Sequence, residues 1–201
     1  MSAPTEGQDT LKAVSQVRNL FKQVGLLLKT ADDQMKGQGW QEKAGNYCVT
    51  GSSTTLPNPE YWMPYHVFRF YSRSSFPARL VAISVILDVE AEYRDLLNEP
   101  IASGIVYDYG EGQTVGTVTS EQYDYNYAGW HIYMPGYMPE RKNDGTILVC
   151  TDPAATWPKD KCTAKRVASF AVPLVHISDS STLFGRLVEP LHRLAQQKVL
   201  G

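Results

Sequence analysis

Five apolar side chains at every second position, Val81, Ile83, Val85, Leu87 and Val89, constrain this chain more than any other feature in it. The other phase carries Ser84, Asp88, Glu90 and Glu92. Successive side chains of a strand point to opposite faces, so the run reads as a β-strand with one packed face and one polar face. Residues 65–71, rich in aromatic and β-branched side chains, precede it, and Ser74-Ser75-Phe76-Pro77 supplies a turn, so the two runs form a hairpin. Further strands are expected over 104–109, 123–127, 130–134, 146–150 and 166–175. Asn143-Asp144-Gly145 marks the turn before the fourth of these.

Both ends of the chain read as helices. After Asp9 as N-cap, Val14, Val17, Phe21, Val24, Leu28 and Ala31 recur in alternating steps of three and four, and the helix stops before Gly37-Gln38-Gly39. Leu20 and Leu27 widen this stripe, which favours docking on the protein's own sheet over a coiled-coil seam. Near the C-terminus Asp179-Ser180-Ser181 offers caps, and Phe184, Leu187, Val188, Leu191, Leu194 and Ala195 form one apolar face. Pro190 removes an amide donor there and crowds the carbonyl of Arg186, which predicts a kink.

Consecutive strands without intervening helical pattern argue for antiparallel pairing. The expected fold is therefore α+β: an antiparallel meander of about six strands flanked by an N-terminal and a C-terminal helix. Both helices lie on one face of this two-layer sandwich, leaving the other face open. Profilin-like and helix-grip arrangements both fit this order, and the pattern does not choose between them. With 201 residues, no repeat and no long linker, residues 1–201 read as a single domain, and 1–8 as a disordered tail. An apolar fraction of 43% is enough for a core, and 20% charge is too low for a disordered chain.

Several function classes drop out. A net charge of −2 gives no bulk attraction for nucleic acid. The start lacks the basic-then-apolar pattern of a secretory signal, and apolar runs such as 80–87 fall far short of the roughly 20 residues of a membrane span. The cytoplasm is the default location. Cys48, Cys150 and Cys162 include no C-x-x-C pair; three buried or inert thiols are the favoured reading, with a Cys150–Cys162 bridge as the alternative. The stretch Gly110-Glu111-Gly112-Gln113-Thr114-Val115-Gly116 has Val115 where a dinucleotide fingerprint needs its third glycine, so it reads as a turn. The run from Asp88 to Asp95 lacks the glycine hinge of a calcium loop. His66, His131, His176 and His192 are scattered, with no zinc-type pair. The expectation is a chain with no cofactor and no metal.

Two features remain, and they overlap. Residues 88–126 hold nine acids against Arg94 alone (−8), while the rest of the chain holds 12 acids against 18 bases (+6). Such a field favours cationic ligands or a basic partner surface. Within the same region tyrosines alternate with polar groups. The candidate ligand-binding residues are Tyr107, Asp108, Tyr109, Tyr123, Asp124, Tyr125, Tyr127, Trp130, His131 and Tyr133, beside a Met134-Pro135-Gly136-Tyr137-Met138-Pro139 loop. The leading reading is a non-enzymatic binding or regulatory domain that recognises a small ligand or protein partner through this surface. A hydrolase or transferase centred on His131, Asp124 and Tyr133 is the rival from another class. A third is an assembly subunit that forms homo-oligomers through the N-terminal helix.

Overall fold

A computed structural model of the chain describes residues 6–43, 66–88, 99–115, 148–150 and 164–197. Helix α1 (Glu6–Gly37) starts three residues ahead of Asp9, so part of the expected tail is helical. Its seam is buried only in the second half, at Val24, Leu28, Ala31 and Met35, whereas Val14 is 43% and Leu11 69% exposed. Docking on the protein's own sheet therefore uses half of the stripe, and the first turns keep Leu11 and Val14 exposed. The end of α1 is built by Gly39, whose φ of +80° suits a residue without a Cβ. Gly39 N–H donates to Lys36 O at 2.9 Å and Trp40 N–H to Met35 O at 3.0 Å, a paired closure that delivers Trp40 into the core.

The sheet contains β1 (Gln41–Glu42), β2 (His66–Ser72), β3 (Arg79–Ile86), β4 (Ile101–Asp108), β5 (Leu148–Cys150) and β6 (Arg166–Pro173). Every pairing is antiparallel and the order is β1-β2-β3-β4-β6-β5. The meander thus runs through the first four strands, after which β6 lies against β4 and β5 takes the outside. The expected strands over 123–127 and 130–134 lie outside the described residues, as do Cys48 and Cys162 of the cysteine set. A polar network running from the buried Tyr71 to the exposed Glu42 ties α1 to the sheet: Tyr71 donates to Asp32 at 2.7 Å, while Arg69 pairs with Asp32 at 3.7 Å and Glu42 at 2.9 Å. Burial holds the Asp32 carboxyl above its ordinary value, and burial followed by the Asp32 charge pushes the Tyr71 hydroxyl far up.

One face of the sheet, carrying Val67, Tyr71, Val81, Ile83, Val85, Ala102, Val106, Ala168 and Phe170, joins both helices in one core. Gly104 sits in the middle of this face, where a Cβ would stand 2.6 Å from the Phe170 ring and 3.3 Å from Leu191. Its bare backbone lets the ring and the helix side chain close over β4.

The opposite face corrects the sequence reading. Instead of an open polar side, Phe68, Leu80, Ala82, Ser84, Ile86, Ile105 and Val167 are all buried, and β3 is buried at every position. Strands covered on both sides read as nearly continuous apolar runs. Leu80, Ala82 and Ile86 supplied that signal, and Ser84 interrupted it with a small side chain that fits a core. The hydroxyls of Ser84, Ser103 and Ser169 lie on this face without a hydrogen-bond partner.

After a short 3-10 turn (Leu174–His176), the C-terminal helix runs through Ser180–Leu183, a π-helical Phe184–Val188 and Glu189–Gln196. Asp179 caps it, accepting from Thr182 N–H at 2.8 Å while Thr182 Oγ1 accepts from Asp179 N–H at 3.0 Å. The kink expected from Pro190 takes the form of the widened turn: Glu189 N–H reaches back five residues to Phe184 O, just before the position where the amide is missing. Leu183, Leu187, Val188, Leu191, Leu194 and Ala195 face the sheet and are buried. The described chain is thus an α+β fold with an antiparallel sheet and both helices on one side.

Candidate functional site

At the end of the sheet nearest the β2–β3 turn, the last apolar row on the helix-side face, Val81–Val106–Ala168, gives way to a charged one. Arg79, Asp108 and Arg166 stand directly opposite one another on β3, β4 and β6. Neighbouring strands place such partners side by side on one face, so three charges meet here that are far apart in sequence. Beyond this row lies a cleft of about 530 Å³, bounded by the Ser75–Phe76–Pro77 turn, the Gly110–Glu111 turn, Lys165 and Gln196.

Each wall has a local cause. The β2–β3 connection is held by Phe76 N–H to Arg73 O at 2.9 Å and Arg79 N–H to Phe76 O at 3.0 Å. The Phe76 ring then stacks on Trp40 (6.1 Å, 15°), with the guanidinium carbons of Arg73 and Arg79 5.5 and 5.7 Å from its centroid. Arg79, only 9% exposed, donates to the Ala195 carbonyl at the end of the C-terminal helix and faces Asp108 Oδ2 at 3.5 Å. A cation suits that position, where the last carbonyls of a helix lack partners. Asp108 Oδ1 accepts Gly110 N–H at 2.9 Å, and its backbone carbonyl accepts Lys165 N–H at 2.8 Å. Gly110 has φ +86°, and a Cβ there would stand 2.8 Å from Lys165 Cδ, so the glycine lets the lysine stem cross the turn.

The charges differ from the expectation drawn from the acidic segment. The cleft gathers Arg79, Lys165 and Arg166 against Asp108 and Glu111, and Asp108 is already engaged by Arg79 and Gly110. Neither Lys165 nor Arg166 forms an ion pair with a described residue. Arg73, against Phe76, adds a further positive charge beside the wall, and its Nη1 is buried without a hydrogen-bond partner.

Of the candidate residues from sequence, Asp108 lies in this cleft. Tyr107 and Tyr109 are each 5% exposed, and Tyr107 lies 6.2 Å from Phe70, so they are buried phenols and not an open ring patch. Their strand phase belongs to the covered face, which is why alternation with Asp108 sent the carboxylate and the rings in opposite directions. Tyr123, Asp124, Tyr125, Tyr127, Trp130, His131 and Tyr133 lie outside the described residues. The Gly110 to Val115 stretch is a turn, as its residues indicated.

Sequence reasoning missed Arg79, Lys165, Arg166 and the Trp40–His192 contact. His192, which stood out only as a scattered histidine, accepts at Nδ1 from Trp40 Nε1–H at 3.1 Å, and Gln196 lies 2.9 Å from its Nε2. Burial, then the nearby Arg73 charge, holds this imidazole below its ordinary value, which keeps Nδ1 available as an acceptor. An available signal was Arg79 itself, a charged residue opening the most apolar strand of the chain.

A second concavity of about 480 Å³, largely apolar, runs between α1 and the segment leading into the C-terminal helix, with Leu20, Leu27, Leu174 and Leu183 in its walls. Leu26 (50% exposed) and Val175 (72%) also line it. Among the described residues no cluster of metal-ligating side chains occurs, and no helix is long and apolar enough to cross a membrane. In comparisons with known proteins, no family model, no curated protein and no solved structure matches this chain.

Proposed function

We propose that this chain is a non-enzymatic binding or regulatory domain whose small ligand enters the cleft beside Asp108. The observation that carries this reading is the Arg79–Asp108–Arg166 row. It places fixed charge in the lining of a cavity of ligand size, on strands that hold it rigidly. The described residues lining the cleft include neither a cysteine nor a histidine, so the arrangement supports holding a molecule more than transforming one.

A thermal-shift screen of small polar molecules against the full chain tests it. Ser75 is exposed in the turn and lines the cleft, so Ser75→Trp fills the mouth without touching the core. Compounds that raise the melting temperature of the wild type should lose their effect in S75W, whose own melting temperature stays unchanged. Hits that persist in S75W but vanish in Tyr125→Ala/Tyr127→Ala move the ligand to the tyrosine segment. Hits that survive both sets of changes remove the reading.

A second reading, self-association through α1, is favoured by the exposure of Leu11 and Val14 on the first turns of the helix. Deleting α1 is the wrong test, because Val24 to Met35 belong to the core. Light scattering should instead show an oligomer that dissociates in Leu11→Glu/Val14→Glu. A wild-type monomer sinks this reading.

A further inference from the structure

From the charge arrangement we infer that the ligand of this cleft carries an oxyanion, a carboxylate or a phosphate, bound by Arg166 and Lys165. The inference rests on the binding reading above and adds the chemistry of the ligand.

Among the described residues, three positive groups and two negative ones line the cavity, but they are not equivalent. Arg79 is committed. Its side chain is 11% exposed and its guanidinium is bonded to the Ala195 carbonyl and faces Asp108, so it fixes the carboxylate and does not reach for a guest. Asp108 spends its two oxygens on Arg79 and on Gly110 N–H. Arg166, the strand neighbour of Asp108 on the other side, is therefore left without an ion pair among the described residues, although a carboxylate stands in the opposite register position. Lys165 is exposed, and its stem is held across Gly110. The remaining acid, Glu111, is exposed in the turn. With Arg73 beside the Phe76 wall, the uncommitted charge of the described residues around the cavity is net positive.

A guanidinium and an ammonium on consecutive residues suit an oxyanion in different ways. The planar fork of arginine can meet two oxygens at once, while lysine supplies a point charge that adapts to position. The Phe76 ring and Pro77 give the cavity an apolar wall, so the guest is an organic acid or phosphate ester in preference to a bare ion. A cationic ligand, which the acidic segment suggested, would face Arg166 and Lys165 with only Glu111 uncommitted.

Calorimetry and thermal shift on the full chain at low ionic strength decide the matter, with inorganic phosphate, phenyl phosphate, benzoate and benzylamine as probes at up to about 10 mM. Phenyl phosphate or benzoate should raise the melting temperature, phosphate should do so less, and benzylamine should have no effect. Added salt should weaken the response, and Arg166→Gln or Lys165→Gln should weaken binding roughly tenfold or more while leaving the unliganded melting temperature in place. Phenyl phosphate against benzoate then separates the two sources of oxyanion. If benzylamine binds and S75W abolishes it, the cleft reading stands and the oxyanion inference fails. Anion binding that survives both R166Q and K165Q, or no response to any probe, also overturns the inference.

Discussion

Replacing Trp40 with alanine is expected to lower stability by about 3–5 kcal/mol, a melting-temperature fall of roughly 6–20 °C for a chain of this length. Trp40 is 1% exposed and occupies a junction. It follows the closure of α1, stacks on Phe76 of the β2–β3 turn and donates to His192 of the C-terminal helix. Truncation leaves a cavity where three elements meet and removes the partner of the His192 Nδ1 acceptor. Trp40→Phe, which keeps a ring but lacks the N–H, should fall between the two. The loss also depends on pH. His192 is held below its ordinary value in the folded chain, so the unfolded ring takes up a proton first as pH falls. The imidazole's contribution is complete above roughly pH 6.5 and is lost as pH drops through the folded value. The gap between wild type and Trp40→Ala should therefore be wider at about pH 7.5 than at about pH 5 in denaturant titrations. A gap that stays constant or widens in acid means that the Trp40–His192 bond does not stabilise the fold.

How far the sequence could be read follows from which contacts are local. The second half of the α1 stripe, the C-terminal helix face, the hairpin turn at Ser74 to Pro77 and the Gly110 turn depend on neighbours within a few positions, and the structure bears them out. The consequence of Pro190 was also visible, because a missing amide must be accommodated within its own helix. What failed was any statement about which sheet face stays open. Ser84 in the alternate phase looked polar, yet a hydroxyl is small enough to be buried at 0% exposure. The exchange of β5 and β6 was equally out of reach, since pairing partners are chosen by packing across the sheet and not by adjacency in the chain. The site shows the same division. Asp108 was found because it stands among acids and rings in the chain. Arg79 and Arg166 lie 29 and 58 positions away and join it only through register. Counting acids along 88–126 therefore did not register the bases that strand pairing brings beside Asp108 among the described residues.

That register makes Arg79 the residue on which fold and site both depend, and Arg79→Met is expected to cost about 3 kcal/mol. The value falls at the low end for breaking a buried pair, because the Arg79–Asp108 distance is 3.5 Å and the carboxylate is 16% exposed. Methionine preserves the apolar stem against Phe76 but abandons both the Ala195 carbonyl and Asp108. Part of the loss should return in Arg79→Met/Asp108→Asn, since the neutral amide still accepts Gly110 N–H and needs no counter-charge. The functional consequence is separable from the stability loss. In the wild type, Arg79 occupies Asp108 and leaves Arg166 uncommitted; without Arg79, the carboxylate is free to turn to Arg166 across the β4–β6 pair. Arg79→Met should then lower oxyanion affinity at temperatures where the variant remains folded, and the added Asp108→Asn should restore it. If affinity is unchanged in the single variant, or the second change fails to restore it, Arg79 serves the fold alone and Arg166 does not depend on it.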